Sequence, residues 1–238
     1  MAKLPEPLYL TQDAKASSVL IWGKSPELEQ KDLDAGIARI GGFRTPDYAR
    51  AYVLAANTLL RTSLQEKTLD HHSLPIFFLQ RHATELLIKE PLQLGISIHK
   101  YWTSFGRELP SGFPSSRLVE RVSRCHDLKR LLRDLETMVN AFQLGQVPTV
   151  LSTLVNELLK FEKDHTWARY SYHHPSEKSS QAIVHIDQEI TIPLVAIQEH
   201  LQSACDALGS TYPEDDDRLN VVLDSMIREC WEIEDALK

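Results

Sequence analysis

The apolar stretch at residues 74–90 contains four side chains that could do chemistry, namely Arg81, His82, Glu85 and Lys89. On a helix that advances about 100° per residue, all four lie within one sector of roughly 100°. Apolar side chains surround that sector, so we expect the helix to be buried, and buried charges need partners. Glu85 is four residues from both Arg81 and Lys89, the spacing that allows ion pairs on a helix. The sequence therefore predicts an interior polar network, which either ties helices together or forms a functional site.

Three further polar pairs lie outside this stretch: His126-Asp127, Asp164-His165 and Arg169-Tyr170. Each borders a predicted helix or hairpin and is flanked by apolar core positions. Because buried polar groups compensate one another, we predict convergence on one interior site. The residues that we expect to converge are Arg81, Glu85, His126, Asp127, Asp164 and Arg169. Further candidates for the polar core site are His82, Lys89 and Tyr170. Asp127 has a second interpretation, as the residue that caps the free N–H groups of a helix.

Helical periodicity indicates the elements that must position these residues. The helices are predicted at about 45–60, 74–91, 117–142, 149–163, 193–209 and 217–237. Thr45-Pro46 is expected to start the first helix, and Pro91 to end or kink the second. Aromatic and β-branched residues at 166–186 predict a β-hairpin insertion. The predicted fold is a mainly α helical bundle at 45–238, with residues 1–44 as an N-terminal extension in which 19–22 form a strand or a packed arm.

Composition limits the classes of partner and compartment. The 238-residue chain has a net charge of -7, which argues against a general electrostatic grip on nucleic acid. A local basic cleft is still possible, because six basic residues lie between Arg117 and Arg133, whereas residues 214–217 are acidic. The alternative is two solvated surfaces of opposite charge. The sequence has no long apolar run or secretory leader, and its three widely spaced cysteines are typical of free thiols, so we predict a cytoplasmic protein without a membrane partner.

Three of these motifs occur in the order found in a group of bacterial helical proteins. The motifs are the Arg-His-Ala-Thr-Glu-Leu-Leu-Ile-Lys helix from Arg81, the His-Asp-Leu segment from His126, and the Arg-Tyr element at Arg169. In this respect residues 74–172 resemble the HEPN superfamily. The resemblance implies an α-helical bundle, often a homodimer, in a toxin-antitoxin or antiviral defence system. It also implies RNA binding or metal-independent ribonuclease activity, with no cofactor.

The resemblance further implies an arginine followed by a histidine after four to six residues as the catalytic pair. Arg169 with His174 fits that spacing, and Arg121 with His126 fits it as a reserve pair. RNA cleavage needs a cation to stabilise charge on phosphorus and an imidazole to move the 2'-hydroxyl proton. Because one pair supplies one proton-transfer group, we expect a homodimer in which two copies share a cleft. The C-terminal helix, 217–237, either joins that interface or packs on its own bundle.

Two alternatives are open at this point. The order His82, His126-Asp127 and Asp164 is similar to the metal ligands of HD-domain phosphohydrolases, in which a divalent metal activates water. The other alternative is a noncatalytic interaction or sensor subunit of a defence complex, with a partner protein in place of a substrate.

Overall fold

In the computed structural model of the protein, the described residues are 25–38, 47–162, 172–173, 183–184, 186, 188–209 and 218–237. The chain divides into two compact units, residues 1–46 and residues 47–238. The described elements are the helices α1 (Pro26–Ala35), α2 (Tyr48–Glu66), α3 (Leu69–Ser104), α4 (Ser116–Arg124), α5 (Leu128–Ala141), α6 (Thr149–Phe161), α7 (Leu194–Leu208) and α8 (Leu219–Ala236), with the strands β1 (Tyr172–His173) and β2 (Ile183–Val184). The mainly helical fold predicted from the sequence is confirmed.

The first unit contains α1, which the sequence analysis did not predict. Ser25 caps this helix by accepting a hydrogen bond from the Leu28 amide, and Pro26 occupies its first turn. Gly36 ends it in the left-handed conformation at φ 64°. The serine-proline start and glycine stop were readable in the sequence. The strand or arm predicted at 19–22 lies outside the described residues.

The helix α2 begins at Tyr48, two residues after Pro46, which was predicted as its first residue. Asp47 is its N-cap, and the Asp47 carboxylate accepts a 2.9 Å hydrogen bond from the Arg50 amide. Thr45 and Pro46 lie outside the described residues. An aspartate accepts this bond as well as a threonine does, so two capping residues in close succession left the start ambiguous.

The 36-residue helix α3 forms the centre of the second unit. It contacts α2, α4, α5, α6, α7 and α8. Pro91 was predicted to end or kink the second helix, and it does not end it, because α3 continues through Pro91 to Ser104. Proline removes one helical hydrogen bond, but burial of both flanks against other helices compensates for that loss. At Gly95 an added Cβ would overlap Met138 Sδ, so the glycine permits the close approach of α3 and α5.

The helix predicted at 117–142 is two helices, so that prediction is wrong in its continuity. Cys125 adopts an extended backbone at ψ 134° after α4. Asp127 then caps α5 by accepting a 3.0 Å hydrogen bond from the Arg130 amide. The spacing of apolar residues in the sequence does not reveal this break, because the helical periodicity continues in α5 after the link. As a result His126 lies in a link between helices.

The remaining helices α6, α7 and α8 lie close to their predicted positions. α8 packs on α3 and α7, as one of the two interpretations of the C-terminal helix predicted. β1 and β2 pair antiparallel, with Tyr172 opposite Val184. Most of the hairpin predicted at 166–186 lies outside the described residues, so the hairpin stays a prediction. Within the described ranges, no helix is long and apolar enough to cross a membrane.

Candidate functional site

Glu85 lies at the centre of a buried polar cluster. Its Oε1 accepts a 2.7 Å hydrogen bond from Lys89 Nζ, and its Oε2 accepts a 2.7 Å hydrogen bond from Arg81 Nη1. His126 Nδ1 lies 3.0 Å from Oε1 and 3.2 Å from Oε2. The Glu85 side chain is only 3% exposed. One carboxylate therefore meets two cations and an imidazole in the interior.

Arg81 joins this cluster to two other parts of the fold. Its Nε and Nη2 donate to Glu162 Oε1 at 3.1 and 2.9 Å. Nη2 also donates to the backbone carbonyl of His126. The planar guanidinium thus connects α3 with the residue after α6 and with the link before α5.

Glu162 is a member of the cluster that the sequence analysis missed. It follows α6 directly, and its side chain is 7% exposed. Its Oε2 is buried and has no hydrogen-bond partner among the described residues. Neither its spacing nor its neighbours distinguish it in the sequence from the acidic residues nearby, of which Asp164 was the predicted member. Asp164 lies outside the described residues.

Protonation of the cluster follows from its contacts. Burial alone would raise the pKa of Glu85, but hydrogen bonds and charges from Lys89 and Arg81 outweigh it, so its pKa is lowered. Glu85 is therefore a carboxylate near neutral pH. The charges of Arg81 and Lys89 balance those of Glu85 and Glu162, which is how a buried cluster of this size is tolerated.

His126 brings the cluster to the surface. Its side chain is 46% exposed, in contrast to the buried side chain of Glu85. The ring nitrogen Nδ1 faces the buried Glu85 carboxylate, and the side chain reaches the protein surface. This arrangement places a proton-transfer group at the surface with a buried charge behind it.

Two predicted members of the interior site have other positions. The Asp127 side chain is exposed and caps α5, so the prediction of an interior Asp127 is wrong and its capping interpretation is correct. His82 packs edge-on to Tyr52 at 4.5 Å between ring centroids, and it stacks on Phe78 at 5.8 Å. Burial lowers the pKa of His82, with a smaller opposing effect of the Glu85 charge. His82 is thus a neutral ring among aromatic residues.

The two predicted catalytic pairs are placed only in part. Arg121 Nη2 donates to both carboxylate oxygens of Asp134 at 2.6 Å, so its charge is already compensated and Arg121 is a poor candidate for the catalytic cation. Its partner His126 is at the surface of the Glu85 cluster. Arg169 and His174 lie outside the described residues, as does Tyr170.

The other basic residues around His126 point to solvent. In the segment 117–136, six residues are basic and four are acidic. The exposed basic residues are Arg117, Arg124, Lys129, Arg130 and Arg133. They lie on α4 and α5, on both sides of the link that carries His126. We refer to these five residues as the basic face.

The described residues do not form the complete set of metal ligands that the HD-like alternative requires. Among them, no group of three or more histidine, cysteine, aspartate or glutamate side chains could hold a metal ion. Of its four predicted ligands, His82 lies against aromatic rings and Asp127 caps a helix. Asp164 lies outside the described residues, so the set as a whole stays a prediction.

A further carboxyl, partly buried, lies on α3 at Glu90. Burial, with a smaller effect of the Asp47 charge, raises its pKa to about 7. Within the part of the chain that the structure describes, its buried Oε2 has no hydrogen-bond partner. A raised pKa means that the folded state favours the protonated form, so this stabilisation is complete below the unfolded pKa of about 4.5. It is lost as the pH rises through about 7.

We expect Glu90→Gln to stabilise the protein at pH 8 and to leave its stability at pH 4.5 unchanged. One pKa unit corresponds to 1.36 kcal/mol, so after solvent screening the gain at pH 8 should be about 2 kcal/mol. Thermal unfolding at both pH values measures the effect. Glu136→Gln, at an exposed position on α5, is the matched control. A gain that is equal at both pH values, or equal to that of the control, would contradict the prediction.

Comparison of the sequence with family models and with curated proteins, and of the fold with solved structures, found no match. The resemblance to the HEPN superfamily therefore stays a prediction from its short motifs. The geometry around His126 is the independent basis for a function.

Proposed function

We propose that this protein is an HEPN-like RNA-binding protein that cleaves RNA without a metal ion, as part of a bacterial defence or toxin-antitoxin system. One observation carries the proposal: a half-exposed imidazole, His126, contacts the buried carboxylate of Glu85 and lies in the link between α4 and α5, the two helices that carry the exposed residues of the basic face. The five basic side chains can neutralise phosphates locally although the chain as a whole is acidic.

The chemistry needs few groups. His126 accepts the proton of a 2'-hydroxyl, and the resulting oxygen attacks the adjacent phosphorus as the 5'-oxygen leaves. The charge on the phosphorus oxygens requires a nearby cation. Arg124, two residues before His126, and Lys129 and Arg130, in the first turn of α5, are exposed candidates. Arg169 and His174 stay the alternative pair.

Assembly and location belong to the same proposal. A single imidazole cannot both remove the 2'-hydroxyl proton and protonate the leaving oxygen at the same moment, so a second copy that contributes its own His126 would complete the set. We therefore propose a homodimer in which the two copies of His126 face one shared cleft. Cys125, Cys205 and Cys230 are free thiols, which supports a cytoplasmic location.

Incubation of the purified protein with total RNA in the presence of EDTA tests the activity. We expect cleavage that survives chelation. Cleavage that strictly requires added metal would favour the HD-like alternative. Binding without cleavage would favour a noncatalytic subunit.

Charge reversal tests the basic face as the RNA-binding surface. We expect Arg130→Glu to weaken RNA binding and to reduce its salt dependence, because counterion release scales with the number of phosphate contacts. Arg61→Glu makes the same change of charge at an exposed position on α2 and is the control. Equal loss in both variants would mean that net charge, and not this face, governs binding.

A further inference from the structure

We infer that Glu85 is a positioning residue that holds the His126 ring with its proton on Nδ1 and its lone pair on Nε2. The assignment of the proton follows from contacts within the protein. Its catalytic meaning rests on the proposed function.

The hydrogen bond between Glu85 and His126 determines which ring nitrogen carries the proton. His126 Nδ1 lies within 3.2 Å of both carboxylate oxygens of Glu85. An ionised carboxylate only accepts hydrogen bonds, so Nδ1 must be the donor. In a neutral imidazole only one nitrogen carries hydrogen, so the lone pair is then on Nε2.

Glu85 does not carry the proton of this hydrogen bond, because two cations bind its carboxylate oxygens. Lys89 Nζ donates to Oε1, and Arg81 Nη1 donates to Oε2, both at 2.7 Å. A proton on either oxygen would face a cationic donor at hydrogen-bond distance. Both cations therefore keep Glu85 in its acceptor form and leave the donor role to His126.

The orientation of the His126 ring is fixed by contacts of both its backbone and its side chain. Arg81 Nη2 donates to the His126 backbone carbonyl, while Glu85 binds the side chain of the same residue. Arg81 and Glu85 are joined by their own ion pair. Backbone and ring are thus held from one buried cluster, which limits the rotation of a side chain that is 46% exposed.

In the proposed reaction this arrangement has a defined effect. Nε2 takes the proton of the 2'-hydroxyl, and the ring becomes an imidazolium with hydrogen on both nitrogens. The new positive charge lies beside the Glu85 carboxylate, which stabilises it, as the buried aspartate does in serine proteases. Glu85 does not touch the reacting atoms and keeps no proton.

Nitrogen-15 NMR of the histidine rings tests the assignment without any substrate. At a pH above the histidine titration, we expect pyrrole-type Nδ1 and pyridine-type Nε2 signals for His126, assigned by their loss in His126→Gln. His71 is exposed on α3 and reports an unconstrained ring in the same spectrum. A His126 ring protonated on Nε2, or on both nitrogens at this pH, overturns the inference.

The double variant Glu85→Gln/Lys89→Gln tests the cause. It removes one anion and one cation, so the balance of buried charge is kept, and Arg81 retains Glu162. We expect the Nε2-protonated tautomer of His126 to increase, and RNA cleavage to fall by roughly 100-fold with RNA binding kept. An unchanged tautomer in the folded double variant overturns the role of Glu85. If the unaltered protein shows the Nδ1-protonated tautomer of His126 but cleaves no RNA, the proposed function is refuted and the role of Glu85 in positioning the ring is kept.

Discussion

Arg81→Ala is expected to lower the free energy of unfolding by about 3–5 kcal/mol, the cost of removing one partner from a buried ion pair. The substitution leaves Glu162 Oε1 and Glu85 Oε2 without the guanidinium and removes the donor to the His126 carbonyl. A loss of this size is a large share of the 5–15 kcal/mol that typically stabilises a domain. Urea denaturation followed by circular dichroism gives the change directly.

Two further variants separate the cluster from ordinary ion pairs. Arg107→Ala removes a surface pair with Glu229 in which both side chains are more than 40% exposed, so we expect a loss below about 1 kcal/mol. Arg81→Lys should recover little stability, because one ammonium cannot reach three acceptors in different directions. If Arg81→Ala costs no more than Arg107→Ala, the cluster does not hold the helices together.

His126→Ala is expected to reduce RNA cleavage by about 10²–10⁴-fold, the usual contribution of a general acid or base. Because the His126 side chain is 46% exposed, we expect the stability to change by less than about 1 kcal/mol. Single-turnover cleavage with excess protein measures the rate separately from binding.

His71→Ala is the matched control, since it removes an exposed histidine on α3 that lies outside the cluster. We expect its cleavage rate to equal that of the unaltered protein. Full activity in His126→Ala, together with loss of activity in Arg169→Ala, would move the assignment to Arg169 and His174.

Local spacing was enough to predict part of the cluster. Arg81, Glu85 and Lys89 lie on one helix at intervals of four residues, and the predicted pairs at both intervals are present. Glu162 is separated from Arg81 by 81 positions, and no local rule specifies such a pair. Its place depends on how α6 docks on the bundle, which is a property of tertiary packing.

The link between α4 and α5 shows a different limit. Periodicity registers which positions face the core, and it remains almost unchanged across a three-residue break. The capping role of Asp127 was the available signal, and it competed with an interior role for the same residue. Pro91 shows the converse case, in which a strong local signal is overridden because the surrounding helices bury both sides of α3.

The central position of α3 has a consequence for cooperativity. Each of the other described helices of the second unit packs against α3, so detachment of any one of them exposes apolar surface on it. Helices that all pack on one central helix are therefore expected to unfold cooperatively. The amides in the middle of α3 should consequently exchange with solvent only when the whole unit opens, as a single foldon.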